Sequence, residues 1–231
     1  MPGPTGLIIW FLGTAFELMF VVCSLARNSF LRYFFLNLYL LLSTTVSIGR
    51  FFILWTYGVR SDEYMYFYYY SDALLTVALF VALISLYSHV LGELRAGEYV
   101  KWGAVFLLLG TAGFSYAVVA QSADRLSTSF AYELSQNLYF VGLVLTYILW
   151  GAVLKLHETR TRLVQIILSL GLYFSAYAAS YALMNFSEKY SLIRYLSPAL
   201  GCFLPLSWSL TMLRYSEESR LAPARLVAVP R

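Results

Sequence analysis

The sequence predicts an all-α polytopic membrane protein, a bundle of seven transmembrane helices with its N-terminus outside and its C-terminus in the cytoplasm. Three observations predict it. The 231-residue chain is 60% hydrophobic and only 12% charged. Its apolar residues come in blocks of about 20, enough to cross ~30 Å of hydrocarbon. The remaining charges gather between the blocks, with a sign bias from one gap to the next.

The first span, Gly6–Leu25, follows MPGPTG; it has neither the basic start nor the small-residue cleavage site of a signal peptide, so it is expected to be retained. Tyr33–Val59 carries a polar stripe, Ser43, Ser47 and Arg50, and ends among Trp55 and Tyr57. Tyr64–Val90 opens in the tyrosine-rich run EYMYFYYYSDALL and holds Asp72 and Thr76. Trp102–Gln121 is the fourth span, and Ala131–Leu154, the fifth, has Glu133, Gln136 and Asn137 near its start. In Leu163–Met184, Tyr173, Tyr177 and Tyr181 recur at intervals of four beside Gly171, Ser175 and Ala179, small residues that let helices approach closely. Tyr195–Leu213 contains Pro198 and Pro205, which bend helices and free carbonyls. Residues 1–213 are thus one transmembrane domain, and 214–231 read as a mobile cytoplasmic tail.

The net charge of +4 reports topology rather than nucleic-acid binding. Eleven basic residues (Arg27, Arg32, Arg95, Lys101, Lys155, Arg160, Arg162 and the four arginines from Arg214 on) fall on the side of the C-terminus. Four, Arg60, Arg125, Lys189 and Arg194, fall opposite, among Asp62, Glu63, Asp124 and Glu188. The positive-inside rule then puts the N-terminus outside, in a bacterial inner membrane, with a weak attraction to anionic lipid headgroups. Tyr64, Tyr66, Trp55 and Tyr57 suit the outer headgroup belt.

Glu17, Arg50 and Asp72 are ionisable residues inside spans, each costing about 2.5–3.5 kcal/mol at a helix centre, so they are expected to face the interior and find partners. Counted from the span ends they lie roughly 12–17 Å deep, on one level, where Arg50 bridges both carboxylates through its forked donors. Tyr68, Tyr69 and Thr76 share the Asp72 face by spacing. With Glu133, Gln136 and Tyr177 they outline an outward-facing polar pocket for a small polar or amphipathic ligand, Arg50 anchoring an anionic group. The same ion network could instead only fix helix register.

Other chemistry is thinly represented. The three lysines all fall in loops, which excludes a retinal Schiff base, and His89 and His157 lie at or beyond span ends, unsuited to haem. His89 with Glu93, His157 and Glu158 makes a poor metal set and reads as solvated loop residues. Cys23 and Cys202 fall at different depths and read as small packing residues. No phosphate loop, nucleophile elbow or zinc-protease motif is present, and the sequon at Asn185 carries no weight. No enzyme activity, cofactor or metal is expected.

The segment YELSQNLYFVGLVLTYILWGAVLKLHETRTRLVQIILSLGLYFSAYAAS, with YYYSDALLTVALFVALISLYSHVLG before it, resembles an uncharacterised bacterial family of seven-helix membrane proteins, through Asp72, Glu133, Gln136 and the small-residue sixth span with Gly171. The layout is also similar to the membrane sensor half of seven-helix histidine kinases. That resemblance implies ligand sensing, here with no kinase attached. The expected function is a receptor-like, ligand-binding module that signals through a separate membrane protein partner. An accessory subunit of a larger complex and a small-solute or proton transporter are the alternatives. The expected contacts are membrane lipids, the ligand and the protein partner, and no nucleic acid.

Overall fold

Helices satisfy every backbone polar group within one segment, which is what a long apolar run requires in lipid. Among the described residues seven form: α1 (Pro4–Ala26), α2 (Phe34–Tyr57), α3 (Asp62–Val90), α4 (Gly97–Ala120), α5 (Leu126–Lys155), α6 (Thr161–Phe186) and α7 (Ile193–Arg214). The computed structural model describes residues 4–91, 97–120, 126–156, 160–186 and 193–216, and no β-strand occurs among them. Six helices are long and apolar enough to cross a membrane; α7, with side chains described from Ala199 onward, is not among them. The molecule is therefore an all-helical bundle of multi-pass membrane type. The tail beyond Ser216, the loop charges Glu93, Arg95, Asp124, Arg125, Glu188 and Lys189, and His157, Glu158 and Ser187 lie outside the described residues.

Local chemistry sets the boundaries. The Ser61 hydroxyl accepts from the Tyr64 amide at 3.0 Å and caps α3, whose first turn holds Asp62 and Glu63 against the positive end of the helix dipole. Gly58, at φ +86°, ends α2 in a conformation that costs any other residue strain. Asn28, at φ 50°, makes the equivalent turn after α1.

The helices α1, α2, α3, α5, α6 and α7 form a closed ring in that order, with α7 packed most extensively against α1. The remaining helix, α4, lies outside the ring against α5 and α3. The outward faces are apolar. Ile8, Phe11, Leu12, Val22, Phe106 and Leu109 are all exposed, as expected where the surrounding solvent is hydrocarbon. In the middle of the ring, Phe20, Leu36, Leu83, Leu149, Ile166, Leu170 and Trp208 form a continuous buried core. Trp208 finds the partner its indole N–H needs in the Ile166 carbonyl, at 3.2 Å. The tightest approaches depend on glycine: a Cβ on Gly142 would come within 2.5 Å of the Phe174 ring, and one on Gly49 within 2.8 Å of the Phe67 ring.

One end of the ring is tied by arginines. Arg162, 2% exposed, donates to Ser29 Oγ at 2.9 Å and twice to the Tyr215 carbonyl, at 3.1 and 2.6 Å. Arg27 donates to the Leu213 carbonyl at 2.9 Å, and Arg160 to the His89 carbonyl at 3.0 Å. These cations satisfy carbonyls that helix C-termini leave without partners and sit at the negative end of each dipole. His89 is not the solvated residue its position suggested: it is half-buried and stacked on Tyr33 at 5.9 Å.

Candidate internal cavity

At the other end, where α1 and α3 begin, the ring encloses a cavity of about 320 Å3. Each ring helix supplies one face at helical spacing. Along α1 the wall is Gly6, Ile9, Trp10, Gly13, Thr14 and Glu17, and along α2 it is Tyr39, Leu40, Ser43, Ser47 and Arg50. Helix α3 contributes Tyr64, Tyr68, Asp72 and Leu75; Tyr139 comes from α5 and Tyr173 and Tyr177 from α6. Gly201, Cys202 and Pro205 of α7 complete it, and the lack of side-chain bulk at Gly201 leaves part of the space.

Two separate polar clusters face this cavity. In the first, Arg50 Nη2 lies 3.9 Å from Asp72 Oδ1. Its Nε donates to Ser71 Oγ at 2.9 Å and Nη2 to the Tyr68 carbonyl at 3.1 Å, while the guanidinium rests 4.4 Å from the Tyr68 ring centroid. Ser71 passes its own proton to the Tyr68 carbonyl, 3.0 Å away. The arginine is therefore compensated by one carboxylate, two neutral acceptors and a ring face.

The second cluster is Glu17, 7% exposed, which accepts from Ser43 Oγ at 2.5 Å and lies 3.1 Å from Thr44 Oγ1. Among the described residues no cation forms an ion pair with it. The expected three-way bridge is thus corrected: Arg50 reaches Asp72 but not Glu17. The reason is depth. Glu17 is thirteen residues from the start of α1 at Pro4, Asp72 ten from the start of α3, and Arg50 only seven from the end of α2. At ~1.5 Å per residue the glutamate sits about 9 Å deeper than the arginine.

The remaining expected residues divide. Tyr68 and Tyr177 line the cavity with Glu17, Arg50 and Asp72. Tyr69 lies one residue, 100° of helix, beyond Tyr68 and packs instead on Tyr132 of α5 at 6.3 Å. Thr76 is buried, its hydroxyl returned to the Asp72 carbonyl at 2.8 Å. Glu133 and Gln136 are half-buried on α5 and do not line the cavity, and Asn137 turns to Ser115 of α4 at 3.0 Å. In their place stand Tyr139 and Tyr173, which with Tyr177 form a ring cluster: Tyr139 stacks on Tyr177 at 4.7 Å, and Tyr173 meets Tyr177 at 4.6 Å. Tyr173 was visible in the sequence through its four-residue spacing to Tyr177; nothing marked Tyr139. Both cysteines are free, and Cys202 donates to the Ile9 carbonyl at 3.1 Å, so it is a cavity-lining residue as well as a packing one.

Comparison with protein-family models, curated proteins and solved structures finds no match to this chain. Fold and cavity together define a class: a helical membrane bundle with a charged and aromatic cavity at one end of a closed ring.

Proposed function

We propose that the protein is a ligand-binding, receptor-like membrane module of a bacterial inner membrane, with seven spans, the cavity facing outward and the arginine-tied end in the cytoplasm. The observation that carries this reading is the cavity itself, about 320 Å3 bounded by six helices and open to three ionisable side chains. Such a space suits a small molecule held by few polar groups among apolar and aromatic walls. Its occupant would touch all the ring helices at once, so binding biases their mutual packing. That change reaches a separate protein partner through the cytoplasmic helix ends, in keeping with the sensor-like layout. Phe20, Leu83, Leu149 and Trp208 fill the middle of the ring below the cavity, a packing that favours sensing over transport.

Filling the cavity tests the proposal. Nothing lies within 4 Å of a Cβ on Gly201, so Gly201→Phe projects a ring into the space without a backbone clash. In a thermal-shift screen of small polar and amphipathic compounds on the protein in nanodiscs, at least one compound class should stabilise the wild type and not the variant. Equal shifts in both proteins, or none in either, would contradict it. A reporter fused to the C-terminus checks the orientation: activity only on the cytoplasmic side is expected.

A further inference from the structure

We infer that the cavity takes a small organic cation, an amine or quaternary ammonium compound with a modest apolar body, its charge held between Glu17 and the tyrosine cluster. The inference rests on reading the cavity as a ligand site and names the chemistry of the ligand.

Charge distribution excludes the opposite choice. Among the described residues Arg50 is the one cation of the cavity, and it already faces Asp72 at 3.9 Å, two oxygen acceptors and the Tyr68 ring. An anion arriving there would have to displace Asp72 or sit beside it. Glu17 has no such compensation. It is 7% exposed, it lines the cavity, and only hydroxyls approach it. Even these do not satisfy it. Thr44 has a single hydroxyl proton and two acceptors, the Leu40 carbonyl at 2.9 Å and Glu17 Oε2 at 3.1 Å. That one proton is shared between the two, so Oε2 receives only part of a hydrogen bond. A carboxylate this far withdrawn from solvent gains most from a positive partner brought in through the cavity it lines.

The walls fit that partner. Tyr39, Tyr139, Tyr173 and Tyr177 line the same space, and the ring contacts of Tyr177 to Tyr139 and Tyr173, at 4.7 and 4.6 Å, hold the last three as one cluster. Aromatic rings lining the same cavity as a carboxylate add to its attraction for cations, quaternary ammonium groups included, because the ring quadrupole presents negative charge. Ile9, Trp10, Leu40, Leu75 and Pro205 supply the apolar remainder.

Four probes of similar size test this on the full chain in nanodiscs by isothermal titration: phenethylammonium, phenyltrimethylammonium, neutral 2-phenylethanol and anionic phenylacetate. Both cations should bind at least about tenfold tighter than the alcohol, and phenylacetate weakest. Glu17→Gln should bring the cations down to the alcohol's affinity. If that variant does not assemble, the Tyr177 pair decides: Tyr177→Phe keeps the cation preference, and Tyr177→Leu weakens it about threefold or more. The inference is overturned if the alcohol binds as tightly as the cations, if phenylacetate binds tighter, if Glu17→Gln or Tyr177→Leu leaves the preference intact, or if neither cation binds at millimolar concentration. Alcohol or phenylacetate binding that Gly201→Phe abolishes would sink the cation reading and leave the ligand site standing. Failure of all four probes, together with an empty thermal-shift screen, would sink both.

Discussion

Arg50 of α2 and Asp72 of α3 face each other at 3.9 Å across the cavity wall, with side chains 16% and 25% exposed. Two neighbouring spans thereby place opposite charges in apolar surroundings without leaving either unpaired, which is what makes the insertion of each tolerable. The pair is not sealed, and its residual exposure is exposure to the cavity.

Removing one member therefore costs less than in a fully buried pair. Asp72→Asn should destabilise the bundle by about 1–3 kcal/mol, below the 3–5 kcal/mol of a fully enclosed ion pair. The Arg50→Met, Asp72→Leu double variant should recover part of that loss. Unfolding in mixed micelles, read as a double-mutant cycle, checks the coupling.

Glu17 should behave differently, because its partners are hydroxyls. Glu17→Ala strands the Ser43 hydroxyl, whose proton the carboxylate accepts at 2.5 Å. The expected cost is about 1–3 kcal/mol, and Ser43→Ala in the same background should add little. Full additivity of the two substitutions would refute the pairing.

Glycine substitutions separate a tight helix contact from an open one. Gly142→Ala drives a methyl to 2.5 Å from the Phe174 ring and should cost about 1–3 kcal/mol. Gly110→Ala on the peripheral α4 meets nothing within 4 Å and should be neutral or stabilising by up to about 1 kcal/mol, through the helix preference of alanine. Thermal unfolding of both variants gives the comparison.

At the arginine end, Arg162→Met removes three donated hydrogen bonds to Ser29 and Tyr215 while keeping most of the side-chain volume. Hydrogen exchange at the last turn of α7 should rise by about tenfold or more, corresponding to ~1.4 kcal/mol or more of lost local stability. Exchange in α2 near Ser43 should stay as it was. Unchanged protection at Met212–Tyr215 would show that Arg162 does not hold that terminus.

The helices were legible in the sequence because their apolar blocks are long. Their edges were legible only where hydropathy marks them: α3 ends at Val90 as expected, whereas α5 begins at Leu126 rather than Ala131, since Ser-Thr-Ser turns carry no hydropathy signal. Ring order was not legible, because the closure of α7 on α1 joins segments nearly the whole chain apart. Arg50 and Asp72 could be paired from depth alone. Glu17 lies off the expected level because α1 starts at Pro4 rather than Gly6, carrying the acid deeper, while α2 ends at Tyr57 rather than Val59, leaving Arg50 shallower. By hydropathy Arg162 reads as one loop charge among eleven. Its spacing of four from Ile166 and eight from Leu170, both fully buried, was the signal that it belongs to the inner face of α6.

The central claim, a cavity reached from outside and lined by an uncompensated acid, is tested most directly at Cys202, a native thiol on the cavity wall. In intact cells carrying the Cys23→Ala variant, small membrane-impermeant methanethiosulfonates of either charge are added outside, with Ser47→Cys in a cysteine-free background as a second position. Labelling is expected at both positions, faster with the cationic than with the anionic reagent, and with a slower cationic rate in Glu17→Gln. Labelling only after the membrane is permeabilised, or a faster anionic reaction, would contradict it.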